Sequence, residues 1–200
     1  MERPTALQDF LDAASLAFDE CAHDPQGRAS VERIFARLAT VQPVRTKIGQ
    51  RLPVCDRHLD DALANATGRP VVDRLVERFR ALEPQLEWRA RKGDETAGAG
   101  FADGHANVMI VGPGGFENRD DLWFGVSLLA PRVRYPDHDH APEETYLVLS
   151  DGEFMHGDSD WFSPGVGGSF YNPPGIRHAM RAGDRPLFAF WVLLPEQREH

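Results

Sequence analysis

The chain lacks what would tie it to a membrane, to nucleic acid or to a disulfide-held fold. Its 200 residues include only two cysteines, Cys21 and Cys55, in separate segments and without Cys-x-x-Cys spacing. That usage excludes a disulfide framework and a thiolate metal cluster, and it predicts two free thiols. No apolar run approaches the length of a membrane span. The first ten residues, Met-Glu-Arg-Pro-Thr-Ala-Leu-Gln-Asp-Phe, lack the basic segment and apolar stretch of a secretory signal, so a cytoplasmic location is expected. Positive charge is also short: 22 Lys and Arg against 31 Asp and Glu leave a net charge of −9. Nucleic-acid affinity rests largely on Lys and Arg neutralising phosphates, so neither nucleic acid nor a membrane is an expected partner. Tyrosine is scarce, with only Tyr135, Tyr146 and Tyr171.

What is present suits a globular fold, with 42% apolar and 26% charged residues and a length for one domain or one and a half. The first eighty or so residues have helical periodicity. Leu7, Phe10, Leu11, Ala14, Leu16 and Phe18 recur near a 3.6-residue period and predict a helix from about Pro4 to Cys21. After the Asp24-Pro25-Gln26-Gly27 turn, Ser30 is a candidate N-cap for a second helix carrying Val31, Ile34, Phe35, Leu38 and Val41. Further helices are predicted over Cys55 to Ala66 and Val71 to Leu82, with Pro70 suited to the first turn of the latter.

From about residue 85 the texture changes to short runs rich in Val, Phe, Trp and Tyr, bounded by Gly, Pro, Asp and Asn. Strands are predicted over 86–90, 106–111, 122–129, 145–149, 168–171 and 187–194. The expected architecture is mainly β: a helical N-terminal part, residues 1–84, packed on a C-terminal β-barrel, residues 85–200. The helices are expected to plug one barrel mouth or to form the interface of a homodimer. Lys92 to Gly104, rich in Gly, Ala and Asp, is expected to be a mobile connection or lid.

Two half-motifs in the β region fit one metal site. His138 and His140 are two apart, so in extended chain both rings point to one side, and Glu144 and Tyr146 share that two-residue period on the next strand. Four polar groups turned inward need partners, most economically a metal and its substrate. Pro173-Pro174-Gly175 then makes a tight turn that ends one strand and aims His178 back from the start of the next. Imidazoles and a carboxylate suit one divalent transition ion, Zn, Fe, Mn, Co or Ni, with an open coordination position. His23, His58, His105, His156 and His200 have no such setting and are expected to be surface or satisfied histidines. A divalent cation favours the phenolate of a neighbouring tyrosine, so Tyr146 or Tyr135 could serve as a general base near neutral pH.

These residues resemble the motifs of the cupin superfamily. His138, His140 and Glu144 match its first motif, with Arg132 standing where the motif has Gly; Gly167, Pro173, Gly175 and His178 match its second. More narrowly, Tyr135-Pro-x-His-x-His-Ala-Pro-Glu-Glu-Thr-Tyr146, preceded by Asp121-Leu122-Trp123-Phe124-Gly125, is similar to the cupin-type dimethylsulfoniopropionate lyases. The resemblance implies a cupin jelly-roll barrel and cleavage of dimethylsulfoniopropionate, a small zwitterionic sulfonium carboxylate, to acrylate and dimethyl sulfide. It implies metal ligands at His140, Glu144 and His178, with His138 a fourth ligand or a close neighbour, and catalytic tyrosines at Tyr146 and Tyr135. Aromatic faces suit a sulfonium cation, and Trp123, Trp161, Tyr171 and Trp191 are the candidates to bind it. The alternatives from other classes are a metal-dependent dioxygenase and a non-catalytic small-carboxylate binding protein.

Overall fold

The computed structural model describes residues 2–45, 49–64 and 67–195. His200, and Asn65 and Ala66 at the end of the third predicted helix, lie outside the described residues. Four helices lead the chain: α1 (Thr5–Cys21), α2 (Pro25–Leu38), α3 (Pro53–Ala62) and α4 (Pro70–Leu82). A one-turn helix α5 (Phe101–Gly104) precedes the strands. The start of α2 differs from expectation. The Asp24 side chain accepts a hydrogen bond from the Gly27 backbone N–H at 2.8 Å and Pro25 fills the first turn, so Asp24 is the N-cap and Ser30 is buried within the helix.

Eight strands follow: β1 (His105–Gly112), β2 (Glu117–Asn118), β3 (Trp123–Leu129), β4 (Glu143–Val148), β5 (Glu153–His156), β6 (Ser169–Asn172), β7 (His178–Arg181) and β8 (Leu187–Leu194). They form a six-stranded sheet in the order β2-β1-β3-β8-β4-β6 and a two-stranded sheet of β5 and β7. The smaller sheet is extended by bridges from Arg134 to Arg181, from His138 to His178 and from Phe154 to Phe162. The mainly β barrel with helices at its N-terminal side is thus present. The predicted strand at 86–90 is reduced to isolated bridges, Gln50 to Glu87 and Arg89 to Asn107.

The two-residue period divides the large sheet. Phe124 of β3 and Phe188 and Phe190 of β8 face outward and meet the helices. Ring centroids lie 5.2 Å apart for Phe10 and Phe124, 5.7 Å for Phe10 and Phe190, and 5.4 Å for Phe79 and Phe188. The alternate residues, Trp123, Ser127, Trp191 and Leu193, line the barrel interior. The helices therefore cover the outer face of the sheet instead of plugging a barrel mouth, and sheet and helices share one apolar cluster. Among the described residues no helix is long and apolar enough to cross a membrane.

The 92–104 segment is tied down more than its composition suggests. Gly98 N–H donates to Arg134 O at 3.1 Å, Asp137 N–H to Thr96 Oγ1 at 2.8 Å, and the Arg134 guanidinium to Thr96 O. Those bonds dock it on the loop that carries Tyr135 and His138. Arg132, in the place of the motif glycine, itself adopts φ +64°.

Cys21 and Cys55 are free cysteines, and the structure buries both. Burial raises both thiols, that of Cys55 to about 11, so neither supplies much thiolate at pH 8. The native protein is expected to react with neither equivalent of a thiol-titrating disulfide reagent at pH 8, and with both once unfolded. Rapid labelling of the native protein would contradict that burial.

Candidate metal centre

The two motif segments are joined through their backbones before any side chain meets. His138 N–H donates to His178 O at 3.0 Å, and His178 N–H returns to His138 O at 2.8 Å. Gly175, at φ +71° in the Pro-Pro-Gly turn, donates its N–H to His140 O at 2.9 Å. The turn thus fixes both the strand that starts at His178 and the loop that presents His140. Glu144 comes from β4, whose inward positions also carry Tyr146.

His140, Glu144 and His178 each offer a ligand atom within 4.8 Å of the others. His140 Nε2 lies 3.4 Å and His178 Nε2 3.2 Å from Glu144 Oε2. Both nitrogens are buried and misaligned for a hydrogen bond, so neither has a partner. Their other ring nitrogens are anchored: His140 Nδ1 lies 2.8 Å from Pro142 O, and His178 Nδ1 2.9 Å from Ile176 O. Donation from Nδ1–H to those carbonyls leaves a lone pair on each Nε2, the tautomer of a metal ligand. Two buried ring nitrogens without a partner beside a buried carboxylate fit a metal ion and are costly without one.

His138 sits beside this trio. Its Nδ1 lies 3.0 Å from Pro136 O, and its ring centroid is 4.0 Å from that of His178 and 6.2 Å from that of His140. Burial lowers its pKa to about 4, so it is neutral near pH 7. Burial would raise Glu144, but the imidazoles of His140 and His178 outweigh it and hold the carboxyl well below its usual range. For His140 burial acts downward and the Glu144 carboxylate, acting upward, prevails. Burial, with Glu144 adding to it, pushes the Tyr146 phenol well above 10.

The cluster opens on a cavity of about 180 Å³. Tyr135, Tyr146, Trp123 and Trp191 line it, together with His138, His140 and Glu144. Trp191 owes its place to Gly125, where a Cβ would come within 2.2 Å of the indole Cη2. Its Nε1–H donates to Ser127 Oγ at 3.0 Å, which orients the ring.

Two expected cation-binding aromatics are elsewhere. Tyr171 pairs with Thr145, while its neighbours Asn172 and Phe170 pair with Glu144 and Tyr146. It therefore points out of the barrel, and its hydroxyl donates to Glu143 Oε2 at 2.7 Å. Trp161 is also outside the cavity lining. The Arg181 guanidinium lies 4.2 Å and that of Arg134 5.6 Å from its ring centroid, so the indole already holds protein cations.

Sequence reasoning did not single out Asn172 or Asn107. Asn172 is fully buried; its Nδ2 donates to Glu144 Oε2 at 3.2 Å, and its Oδ1 lies 2.8 Å from His156 Nδ1, so His156 is a satisfied histidine. The Asn107 amide donates to the Tyr135 hydroxyl oxygen at 3.1 Å. A polar residue on the inward parity of a strand is the available signal, and it depends on register. His105 is likewise satisfied: its Nε2 accepts from Arg91 N–H at 2.7 Å, and its ring stacks on Phe101 with centroids 3.7 Å apart.

Comparison with known proteins gives this arrangement a family. The chain is 32% identical over 116 residues to dimethylsulfoniopropionate lyase DddQ of Ruegeria pomeroyi, an alignment covering 58% of each chain. It superposes on a chain from the crystal structures of the DMSP lyases RdDddP and RnDddQII with a TM-score of 0.72 at 24% identity, covering 94% of this chain and 92% of the other. The match to the crystal structure of DMSP lyase DddQ from Ruegeria pomeroyi DSS-3 has a TM-score of 0.69 at 24% identity, covering 99% and 95%. Both superpositions speak for the fold. The model of the dimethylsulfoniopropionate lyase family matches residues 26–189, most of the chain, and the protein belongs to that family.

Proposed function

We propose that the protein is a metal-dependent carbon–sulfur lyase that cleaves dimethylsulfoniopropionate to acrylate and dimethyl sulfide by base-catalysed β-elimination. The observation that carries this reading is the clustering of His140, Glu144 and His178, two of which, His140 and Glu144, open with two tyrosines and two indoles on one cavity. His140, Glu144 and His178, with His138 beside them, would hold one divalent ion, Zn, Fe, Mn, Co or Ni. Such an ion would supply Lewis acidity for a bound carboxylate and for charge building toward an enolate.

The chain's own groups do the rest. Tyr146, or Tyr135 across the cavity, takes the α proton onto its phenolate oxygen. The C–H electron pair becomes the new carbon–carbon double bond, the carbon–sulfur bond breaks, and the sulfur leaves as a neutral sulfide. Trp191 and Trp123 offer faces to the sulfonium, each contributing about 0.5–2 kcal/mol. Asn107 holds the Tyr135 oxygen and so fixes where that hydroxyl points.

The test is headspace detection of dimethyl sulfide from purified protein loaded in turn with Zn, Mn or Fe(II). Release that disappears with chelator is expected. Its absence from folded, metal-bound protein would sink the lyase reading.

Asn172 supports the cluster from behind Glu144, and partners of that kind commonly contribute about 10–100-fold in metal affinity. Asn172→Leu is expected to weaken metal binding by about that factor, measured by competition with a chromophoric chelator. Unchanged affinity would show that Glu144 needs no such support.

A further inference from the structure

The inward residues of the large sheet form a row that crosses four strands in register. Tyr146 of β4 pairs with Trp191 of β8, Trp191 with Gly125 of β3, and Gly125 with Met109 of β1. Gly125 has no side chain, so the Trp191 indole lies across its position and extends toward Met109. At about 4.8 Å per strand step, Met109 is the side chain of this row farthest from the Tyr146 and Glu144 strand. A three-carbon acid held by its carboxylate at the His140, Glu144 and His178 cluster would lie along this row. Its onium end would rest over Trp191 and be directed at Met109.

Met109 is built into an unusual setting. The pairing of β1 with β3 slips between Met109 and Val111, a bulge of the kind that re-aims a side chain. The side chain then rests against two glycines: a Cβ at Gly112 would come within 2.6 Å of Met109 Sδ, and one at Gly115 within 3.0 Å of Met109 Cγ. On its far side is a second void of about 30 Å³, lined also by Arg45, Arg89, Gly114 and Phe116. Met109 borders both voids and so separates the cavity from the outer pocket. An unbranched thioether adapts to irregular space, and a glycine cradle leaves it room to shift.

We propose that Met109 is the residue that sets the size of the onium group this protein accepts, acting as the end wall of the cavity. The inference rests on the lyase reading for its substrate class and on the register of the sheet for its placement. Filling or emptying one methylene-sized space in an apolar pocket changes discrimination by about 10–200-fold. Met109→Ala removes the wall and joins the two voids, whereas Met109→Leu keeps most of its volume.

The experiment compares dimethylsulfoniopropionate with its diethyl homologue on wild type, Met109→Ala, Met109→Val and Met109→Leu, each verified as folded by its melting curve. Headspace analysis gives kcat/KM for release of each sulfide, and saturable quenching of tryptophan fluorescence gives the binding of each compound. Expected is a fall of at least about tenfold in the dimethyl-over-diethyl preference for Met109→Ala, a smaller fall for Met109→Val, and a ratio near wild type for Met109→Leu. Equal losses on both compounds, with the ratio unchanged in Ala and Val alike, would overturn the inference and leave Met109 a packing residue. No sulfide from wild type would sink the lyase reading alone, because the quenching ratio still decides whether Met109 selects for size. No saturable binding of either compound to any of the proteins would overturn both.

Discussion

Tyr146→Phe is expected to retain its full complement of metal and to lose about 10²–10⁴-fold of turnover, the range set by removal of a positioned base. The ring has independent reasons to stay where it is. It stacks on Phe170 with centroids 4.9 Å apart and planes 14° from parallel, and it lies 5.5 Å from Phe154. Phenylalanine keeps those contacts, so the substitution removes one oxygen and little else. That oxygen is poorly placed to ionise by itself, because burial and Glu144 both hold the phenol well above 10. A base role at Tyr146 therefore requires a neighbouring positive charge, which the His140, Glu144 and His178 cluster is fitted to hold. Metal content by elemental analysis and turnover by headspace detection test the two halves separately. Unchanged turnover would move the base to Tyr135, whose oxygen is already held by the Asn107 amide at 3.1 Å.

The chemistry of the site was more legible in the sequence than its walls. His140 and Glu144 are local to one loop and one strand, and a Pro-Pro-Gly turn can aim His178 in few directions, so short-range geometry was enough to bring these three together. Tyr171 shows where that reasoning ends. Its aromatic face suggested the cavity, but its parity is set by the pairing of β6 with β4, which places it opposite Thr145 and outside. Trp161 has the right chemistry for a cation, and the sequence could not reveal that Arg181, twenty residues on, takes its face. Asn172 reads locally as the start of a turn, and only its register with Glu144 makes it a support. Met109 reads as an ordinary strand apolar residue until the vacancy at Gly125 is known.

The elements themselves follow the same rule. The helices were legible because a 3.6-residue period over ten or more residues is a strong signal, although Asp24 with Pro25 outcompeted Ser30 for the start of α2. Strand β2 spans two residues, too few for alternation to register, and β5 and β7 carry one Phe between them where the equally short β6 has Phe170 and Tyr171. Residues 92–104 have the composition of a free loop, but composition carries no information about the Arg134 and Asp137 contacts that dock them.

Glu144→Gln is expected to abolish turnover together with stoichiometric metal binding, while the metal-free protein stays folded. The substitution preserves shape and the Asn172 contact but removes the negative charge between His140 and His178. Loss of a supporting partner costs about 10–100-fold in affinity, and loss of the carboxylate itself is expected to exceed that range. Chelator-treated protein offers a second, independent readout. In the metal-free fold the two imidazoles, overcoming burial, hold the Glu144 carboxyl well below its ordinary 4.5. A carboxyl depressed by folding stabilises the native state above its unfolded value and loses that contribution as pH falls through the folded one. The gap in stability between metal-free wild type and Glu144→Gln should therefore be widest above about pH 5 and close progressively in acid. Denaturant titrations from pH 7 downward measure that gap. A gap that stays constant with pH would mean that His140 and His178 do not stabilise the carboxylate in the metal-free protein.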